Sequence, residues 1–552
     1  MSRGFRPQAT NSSRNRAKTS GIRFMPMKIQ ENQIMRITSG LWLFLSILFF
    51  SCSRSARNSA GQPIADSSIQ SGKALAGVYC QSCHVLPDPG LINKLSWERS
   101  VLPAMGPRLG IFNVGMTRYP SSIGDTAIGP SFYPSRPLLT ESQWQCIIDY
   151  YSAMAPDSLP PQPRHRAIDT SLALFEPVAL PNTGRVPLTC FIRIDSAGGR
   201  RQIIAGNVFP GELYRYDASM RLADSARVRG GVVDMQAFGD SGIACNIGNI
   251  YPNNGRSGSA DRFWYDKNNK LVIDTVPFLK GLERPVEVLG ADLNGDNRTD
   301  YVVCEFGNLK GALSWMEAVP GGGYVRHLLR AQPGAIKAYV EDADHDGRPD
   351  IWVLFAQGDE GIFLYLNKGG GRFEEHELLR FPPVYGSSYF ELADMNKDGY
   401  PDIIYTCGDN ADYSMVLKPY HGVYIFLNDG RNHFRQSYFY PINGCYKAMA
   451  RDFDGDGDLD LAVIAAFADF KRQPEEGFVY LENEGGMEFR PFSLPAAKAG
   501  RWLTMDVGDI NGDGKPDIVL GNFALGALPA GGVDWKKGPP VLVLRNRGAK
   551  GR

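Results

Sequence analysis

A chain of 552 residues exceeds one ordinary domain, so it holds either several domains or one large repeat fold. Its 59 basic residues balance 59 acidic ones to a formal charge of zero, which excludes the electrostatic footprint of a nucleic-acid surface. Sixty-one glycines and 11% aromatic residues suit a turn-rich, mostly all-β protein.

Residues 1–26 are polar and basic, lack hydrophobic periodicity and precede Met27 and Met35, so they are expected to be a disordered or non-native extension. From Met27, a stretch with Lys28 and Arg36 leads into the apolar run from Leu41 to Phe50, which ends in Ser51-Cys52. The run is too short to span a bilayer comfortably and reads as a signal peptide over 27–52, with an uncleaved anchor as the alternative. A small residue followed by Cys after the apolar run resembles a bacterial lipobox, which implies lipidation of Cys52. The expected localisation is therefore the bacterial cell envelope, lipid-anchored to the outer membrane and facing the periplasm or the cell surface. Residues 53–68, rich in Ser, Ala, Asn and Arg, would be a flexible tether.

The second chemical signal is Cys80-Gln-Ser-Cys83-His84, set in a segment with helical spacing. Two thiols and an adjacent imidazole at this spacing form the c-type haem attachment pattern, with His84 as iron ligand. A structural zinc would need a second ligand pair nearby, and none follows. For the other haem face, Met105 closes a helix-like run from Trp97 and resembles the ligand of small monohaem cytochromes; Met116 is its competitor. Ser142–Met154 has helical periodicity and contains Cys146, expected as a buried thiol. Residues 69–157 thus resemble a small all-α class I cytochrome c domain with one covalent haem c. A Pro-rich stretch over 158–173, containing His165, reads as a semi-rigid spacer.

One acidic phrase then recurs five times. Asp292, Asn294, Asp296 and Asp300 form the first copy; Asp342, Asp344, Asp346 and Asp350 the second; Asp394, Asn396, Asp398 and Asp402 the third. Asp452, Asp454, Asp456, Asp458 and Asp460 form the fourth, and Asp509, Asn511, Asp513 and Asp517 the fifth. Oxygen donors at positions 1, 3, 5 and 9, with a backbone carbonyl at 7, are how a short loop wraps a hard cation such as calcium. An EF-hand would put Glu at position 12, where Val303, Val353, Tyr405, Val463 and Leu520 stand instead, and a β-rich stretch follows each loop. The copies lie 50, 52, 58 and 57 residues apart, a period that signals a repeat architecture.

Each period accommodates four short strands, one blade of a β-propeller. The phrases resemble the FG-GAP/VCBS repeat family, calcium-stabilised propellers like the head of integrin α chains, and the resemblance extends over residues 174–547, with a tail at 548–552. Two degenerate repeats precede the first phrase, with Asp195 and Asp240 where loops would be, so seven blades are expected. The last repeat lacks its fourth strand, and Leu174–Leu180 is expected to fill that place. Similar blade positions hold Cys190, Cys245, Cys304, Cys407 and Cys445, and no bridge is predicted among them.

The fold class is thus a small all-α domain followed by a seven-bladed all-β propeller. Loops on the face opposite the acidic phrases carry Asp359, Glu360, Asp409 and Asp412, acids outside the phrases. Arg284, Lys337, Lys447 and Arg501 recur near the entry of inner strands; they would either ring the channel as an anion or polyol site or satisfy carbonyls at blade ends. No nucleophile elbow, phosphate loop or HExxH is present. The leading expectation is an electron-transfer lipoprotein whose haem serves a redox partner protein, or a small-molecule or glycan ligand, on the face opposite the acidic loops. The alternatives are a glycan-binding or adhesion propeller, or a dehydrogenase with its site on that face.

Overall fold

In all five acidic repeats the segment after the phrase is a near-continuous apolar run, as in Asp350–Phe355 (DIWVLF) and Asp460–Ala465 (DLAVIA), and each forms a strand buried along its whole length. Continuous apolar character suits a strand covered on both faces, the second place in a propeller blade. The fourth strands, such as Phe373–Arg380, alternate between exposed and half-buried residues and form the rim.

The structure, a computed structural model, describes residues 56–162, 166–182, 184–196, 199–411, 413–525 and 533–548. The expected signal segment with Cys52, His165, Asp412 and the last four residues lie outside them. Seven antiparallel sheets follow one another, six with four strands and the second with five. Blade 1 runs from Thr189–Asp195 to Leu222–Arg227, and blade 2 from Val232–Phe238 to the outer strands Leu271–Ile273 and Leu279–Leu282, which both pair with Gly258–Tyr265. Blades 3 to 6 start at Pro285–Ala291, Ala335–Glu341, Ser387–Ala393 and Cys445–Arg451. Blade 7 contains Trp502–Gly508, Asp517–Asn522 and Val541–Asn546, and Phe175–Ala179 supplies its outer strand, with Phe175 opposite Asn546 and Ala179 opposite Leu542. The ring therefore closes with one strand from before blade 1, as expected. Such closure ties the two ends of the propeller segment together.

Side chains on the inner strands bridge every blade junction around the channel. Arg193 reaches the Met235 carbonyl, Gln236 accepts from Gly290 N–H, and Glu287 accepts from Ala338 N–H. Tyr339 donates to the Phe390 carbonyl, Glu391 accepts from Ala450 N–H, Lys447 donates to the Met505 carbonyl, and Asp506 accepts from Ile194 N–H. Polar groups shielded from water must find partners, and here each finds its partner in the next blade.

The preceding helical unit is built on the helices Asp66–Tyr79 and Glu141–Met154. The second starts with a capping box, in which Thr140 accepts from Gln143 N–H while the Gln143 side chain accepts from Thr140 N–H. The two helices cross closely at Gly72, where a Cβ would lie 1.9 Å from the Cys146 carbonyl oxygen. Between them, Lys94–Met105 is continuously helical with a π turn over Trp97–Val101. Trp97, Trp144, Ile147 and Tyr151 form its core, and the Trp97 indole donates to the Pro89 carbonyl at 2.8 Å.

The helical unit and the spacer are both docked on the propeller. Val384, Tyr385 and Tyr420 pack into the helical core, and Tyr420 Oη donates to the Leu91 carbonyl at 3.1 Å. Asn254 donates to Asp125 at 2.8 Å, and Lys310 Nζ to the Ala127 carbonyl at 3.2 Å. All these propeller residues stand on loops of blades 2 to 5 on the face opposite the acidic phrases, so much of the face expected to be free is covered. The spacer is likewise not free. Gln162 donates to the Lys418 and His421 carbonyls, while Asp169 N–H donates to Pro491 O and Asp169 O accepts from Ser493 N–H along the edge of blade 6. Local composition predicted a rod; the unpaired outer edge of blade 6 captures it instead.

Candidate functional site

The five acidic phrases form equivalent loops between the first and second strands of blades 3 to 7. Position 1 folds the loop by accepting backbone N–H groups: Asp292 accepts from Gly295, Asp296 and Asn297, and Asp509 from Gly512, Asp513 and Gly514. Position 9 is buried in every copy and accepts two backbone N–H groups, one from its own loop and one from the third strand. Asp300 accepts from Leu293 and Ala318, Asp350 from Ala343 and Asn367, and Asp402 from Met395 and Asn428. Asp460 accepts from Phe453 and Asn483, and Asp517 from Ile510 and Asn546. The ninth residue is thus both a donor oxygen for the loop and a staple of the sheet.

In blades 4 and 6 one carboxylate oxygen from each of Asp342, Asp344 and Asp350, and of Asp452, Asp454 and Asp460, lies within 4.8 Å of the others. That clustering of hard oxygens fits a calcium ion. Blades 3, 5 and 7 carry Asn294, Asn396 and Asn511 at position 3, where a neutral amide oxygen replaces a charged one. Position 5 is split between roles, since Asp296 and Asp346 pair with Arg298 and Arg348 two residues on. Asp458, at position 7, turns to Lys397 of the neighbouring loop at 2.5 Å and stands apart from the cluster of its loop. Burial pushes the Asp460 carboxyl up to about 7, with the nearby Asp454 charge adding to it, against the pull of Asn483 N–H and the Tyr480 hydroxyl.

Blades 1 and 2 solve the same problem without a metal phrase. Asp195 is buried and accepts from Gln202 Nε2 at 2.7 Å and Tyr265 Oη at 2.9 Å. Arg200 lies 3.5 Å from Asp195, pairs with Asp240 and sits 4.2 Å above the Tyr265 ring. A guanidinium takes the place a cation would occupy. The signal for it is local: a basic residue, Arg200, stands in the loop where the carboxylates disappear.

The helix Asp66–Tyr79 stops just before Cys80, so Cys80, Cys83 and His84 lie in the turn that follows it rather than within it. Both thiols are free, Cys80 half-buried and Cys83 exposed. Burial, and then the neighbouring Cys83, push the Cys80 thiol up to about 11, the reverse of what a redox-active CxxC nucleophile needs. His84 Nδ1 lies 2.9 Å from the Val85 carbonyl, which as a donor leaves Nε2 free to ligate, and burial lowers its pKa so that it is neutral. Met105 is half-buried in the same apolar cluster as Cys80, whereas Met116 is fully exposed at the tip of a short hairpin. This donor set fits a covalently held haem. Cys146 is half-buried, and all the described cysteines are free thiols.

Residues expected on a ligand face are otherwise engaged. Arg284 binds the Gly307 and Ile250 carbonyls, and Arg501 those of Ala466 and Leu525. Lys337 pairs with Glu287, and Lys447 is held by Met505 O, so the four cations close blade junctions and do not form a free ring. Asp359 pairs with Arg330 and Arg380, Glu360 is buried and accepts from Ser387 N–H and Oγ, and Asp409 accepts from Ala411 N–H. Among the described residues no helix is long and apolar enough to cross a membrane.

Fold and loops together define a seven-bladed β-propeller with cation-type acidic loops on five blades. The FG-GAP-like repeat family matches residues 342–405 and 452–520, stretches that include the acidic loops of blades 4, 5, 6 and 7. Integrin alpha pat-2 of Caenorhabditis briggsae is 25% identical over 230 residues, covering 37% of this chain and 18% of its own length. The chain thus spans less than a fifth of that relative. Among solved structures, the N-terminal domain of Nup159 is 11% identical with a TM-score of 0.40, over 70% of this chain and 98% of its own. Sqt1 of Saccharomyces cerevisiae is 9% identical with a TM-score of 0.41, over 69% and 100%. Similarity at that level carries nothing further.

Proposed function

We propose that this protein is a calcium-stabilised binding propeller of the integrin-head type that takes a glycan or a protein as its ligand. The observation that carries the reading is the convergence of three carboxylates within 4.8 Å in the loops of blades 4 and 6, inside stretches that match FG-GAP-like repeats. Asp, Asn and the position-7 carbonyl would hold the ion, which neutralises carboxylates that otherwise repel. Binding to immobilised glycans, measured with calcium and with chelator, tests it. Calcium-dependent retention is expected, and equal retention in chelator would count against a calcium-built surface.

A second element is favoured by the turn after the first helix. Cys80 and Cys83 would each add an S–H across a haem vinyl group, sulfur to one carbon and hydrogen to the other, with no oxidant required. His84 Nε2 and Met105 would ligate its iron, and a haem held there would supply one-electron transfer. The supports are the spacing, the Nδ1 contact with Val85, and the burial of Met105 beside Cys80. Covalent haem attachment belongs outside the cytoplasm, which accords with export and anchoring through Cys52. A haem stain of denatured protein, followed by a reduced-minus-oxidised spectrum, tests this element; loss of all haem on acid-acetone extraction would end it. Globomycin, by causing unprocessed precursor to accumulate, tests the lipid anchor.

A further inference from the structure

The helical unit does not stand apart from the propeller, and its thiol turn is on the docked side. Cys80, Leu91 and Met105 share one apolar cluster with Val384, Tyr385 and Tyr420, which come from the loop between blades 4 and 5 and from the long loop of blade 5. Tyr385 and Tyr420 stack at 4.6 Å with their rings 17° apart, and Tyr420 Oη bonds to both Leu91 O and Val384 O. This stacked pair is therefore fixed from both sides.

The haem-carrying domain is thus incomplete by itself in one respect. A small helical domain covers a large apolar macrocycle only in part, and the exposed remainder lowers its reduction potential through solvent access. Val384 is buried in the joint cluster, and Tyr385 and Tyr420 pack against it, so the propeller contributes apolar side chains to the cluster that holds Cys80 and Met105.

We propose that the propeller supplies the second wall of the haem crevice, with Val384, Tyr385 and Tyr420 closing it. The inference rests on the haem reading, and the test separates the two. Full-length protein matured with haem is first assayed for covalent haem; its absence ends the haem reading itself. With haem present, the midpoint potential and the Soret circular dichroism are measured for wild type, Tyr385→Ala, Tyr385→Phe and, as a control on the same propeller face, Arg501→Gln. Tyr385→Ala is expected to lower the potential and change the Soret dichroism by admitting water, Tyr385→Phe, which keeps the ring, to retain the wild-type values, and Arg501→Gln to leave both unchanged. A wild-type potential in Tyr385→Ala would overturn the proposal, as would an Arg501→Gln shift of the same size.

Discussion

Blades 3 to 7 and blades 1 and 2 close the same turn, between first and second strands, by two different means. In the five acidic blades the turn collects carboxylates whose charge demands an external cation. In blades 1 and 2 the demand is met internally, by Arg200 set between Asp195 and Asp240 and capped by Tyr265. The difference teaches that the turn needs a positive charge more than it needs a metal. Five of the seven turns are thereby made sensitive to the surroundings, while the other two are not.

Chelation is the broadest way to break this comparison. With free ion about a hundredfold above its dissociation constant, each occupied loop contributes about 2.7 kcal/mol, and several such terms are a large share of the stability of any domain. EDTA is expected to lower the melting temperature by well over ten degrees and to deprotect amides of blades 3 to 7 before those of blade 1, followed by hydrogen exchange. Since the helical unit is docked on blades 2 to 5, the spectrum of a haem held at Cys80 and Cys83 would change with the propeller and not independently of it. Uniform deprotection across all blades would erase the distinction.

Single substitutions sharpen it. Asp460→Ala removes a donor oxygen and also strands the N–H groups of Phe453 and Asn483, so it should cost about 2 to 4 kcal/mol, part of which persists in chelator. Asp456→Ala removes a donor near the loop tip, and its smaller cost should vanish in chelator. Denaturant melts with and without calcium measure both. Arg200→Leu should cost about 1 to 3 kcal/mol, because it leaves Asp195 buried beside a missing partner, and the cost should be the same with calcium or EDTA.

The smallest effect is on pH dependence. In chelated protein the Asp460 carboxyl, pushed up to about 7, favours the fold while protonated; that contribution is present below about pH 4 and lost as pH rises through about 7. Calcium needs the ionised form, so its stabilisation should grow from about pH 5.5 to about pH 8. Paired melts at the two pH values check this, and a calcium-induced shift independent of pH would place the ion elsewhere.

How much of this was legible beforehand follows from the range of each interaction. The acidic phrases and the apolar second strands are local patterns, and the strand Phe175–Ala179 was recognisable because blade 7 visibly lacked one. The ring of inner-strand bridges was not, since Gln236 and Gly290 or Glu391 and Ala450 are neighbours only after the blades are stacked. For Arg284 and Arg501 the sequence left a channel ring and blade-end carbonyls both open, and the carbonyls of adjacent blades decide for the second. Tyr385 and Tyr420 carried no signal, because their role depends on a domain some three hundred residues earlier in the chain. Met105 over Met116 was a choice that burial favours and spacing alone left open.

Calcium stoichiometry tests the central claim most directly. Protein stripped with EDTA, dialysed against calcium buffer and analysed by inductively coupled plasma mass spectrometry should bind five ions per chain, one for each acidic loop, with the all-carboxylate loops of blades 4 and 6 filling first in a calorimetric titration. Retention of no calcium, or of seven ions with the Arg200 turns included, would contradict the account.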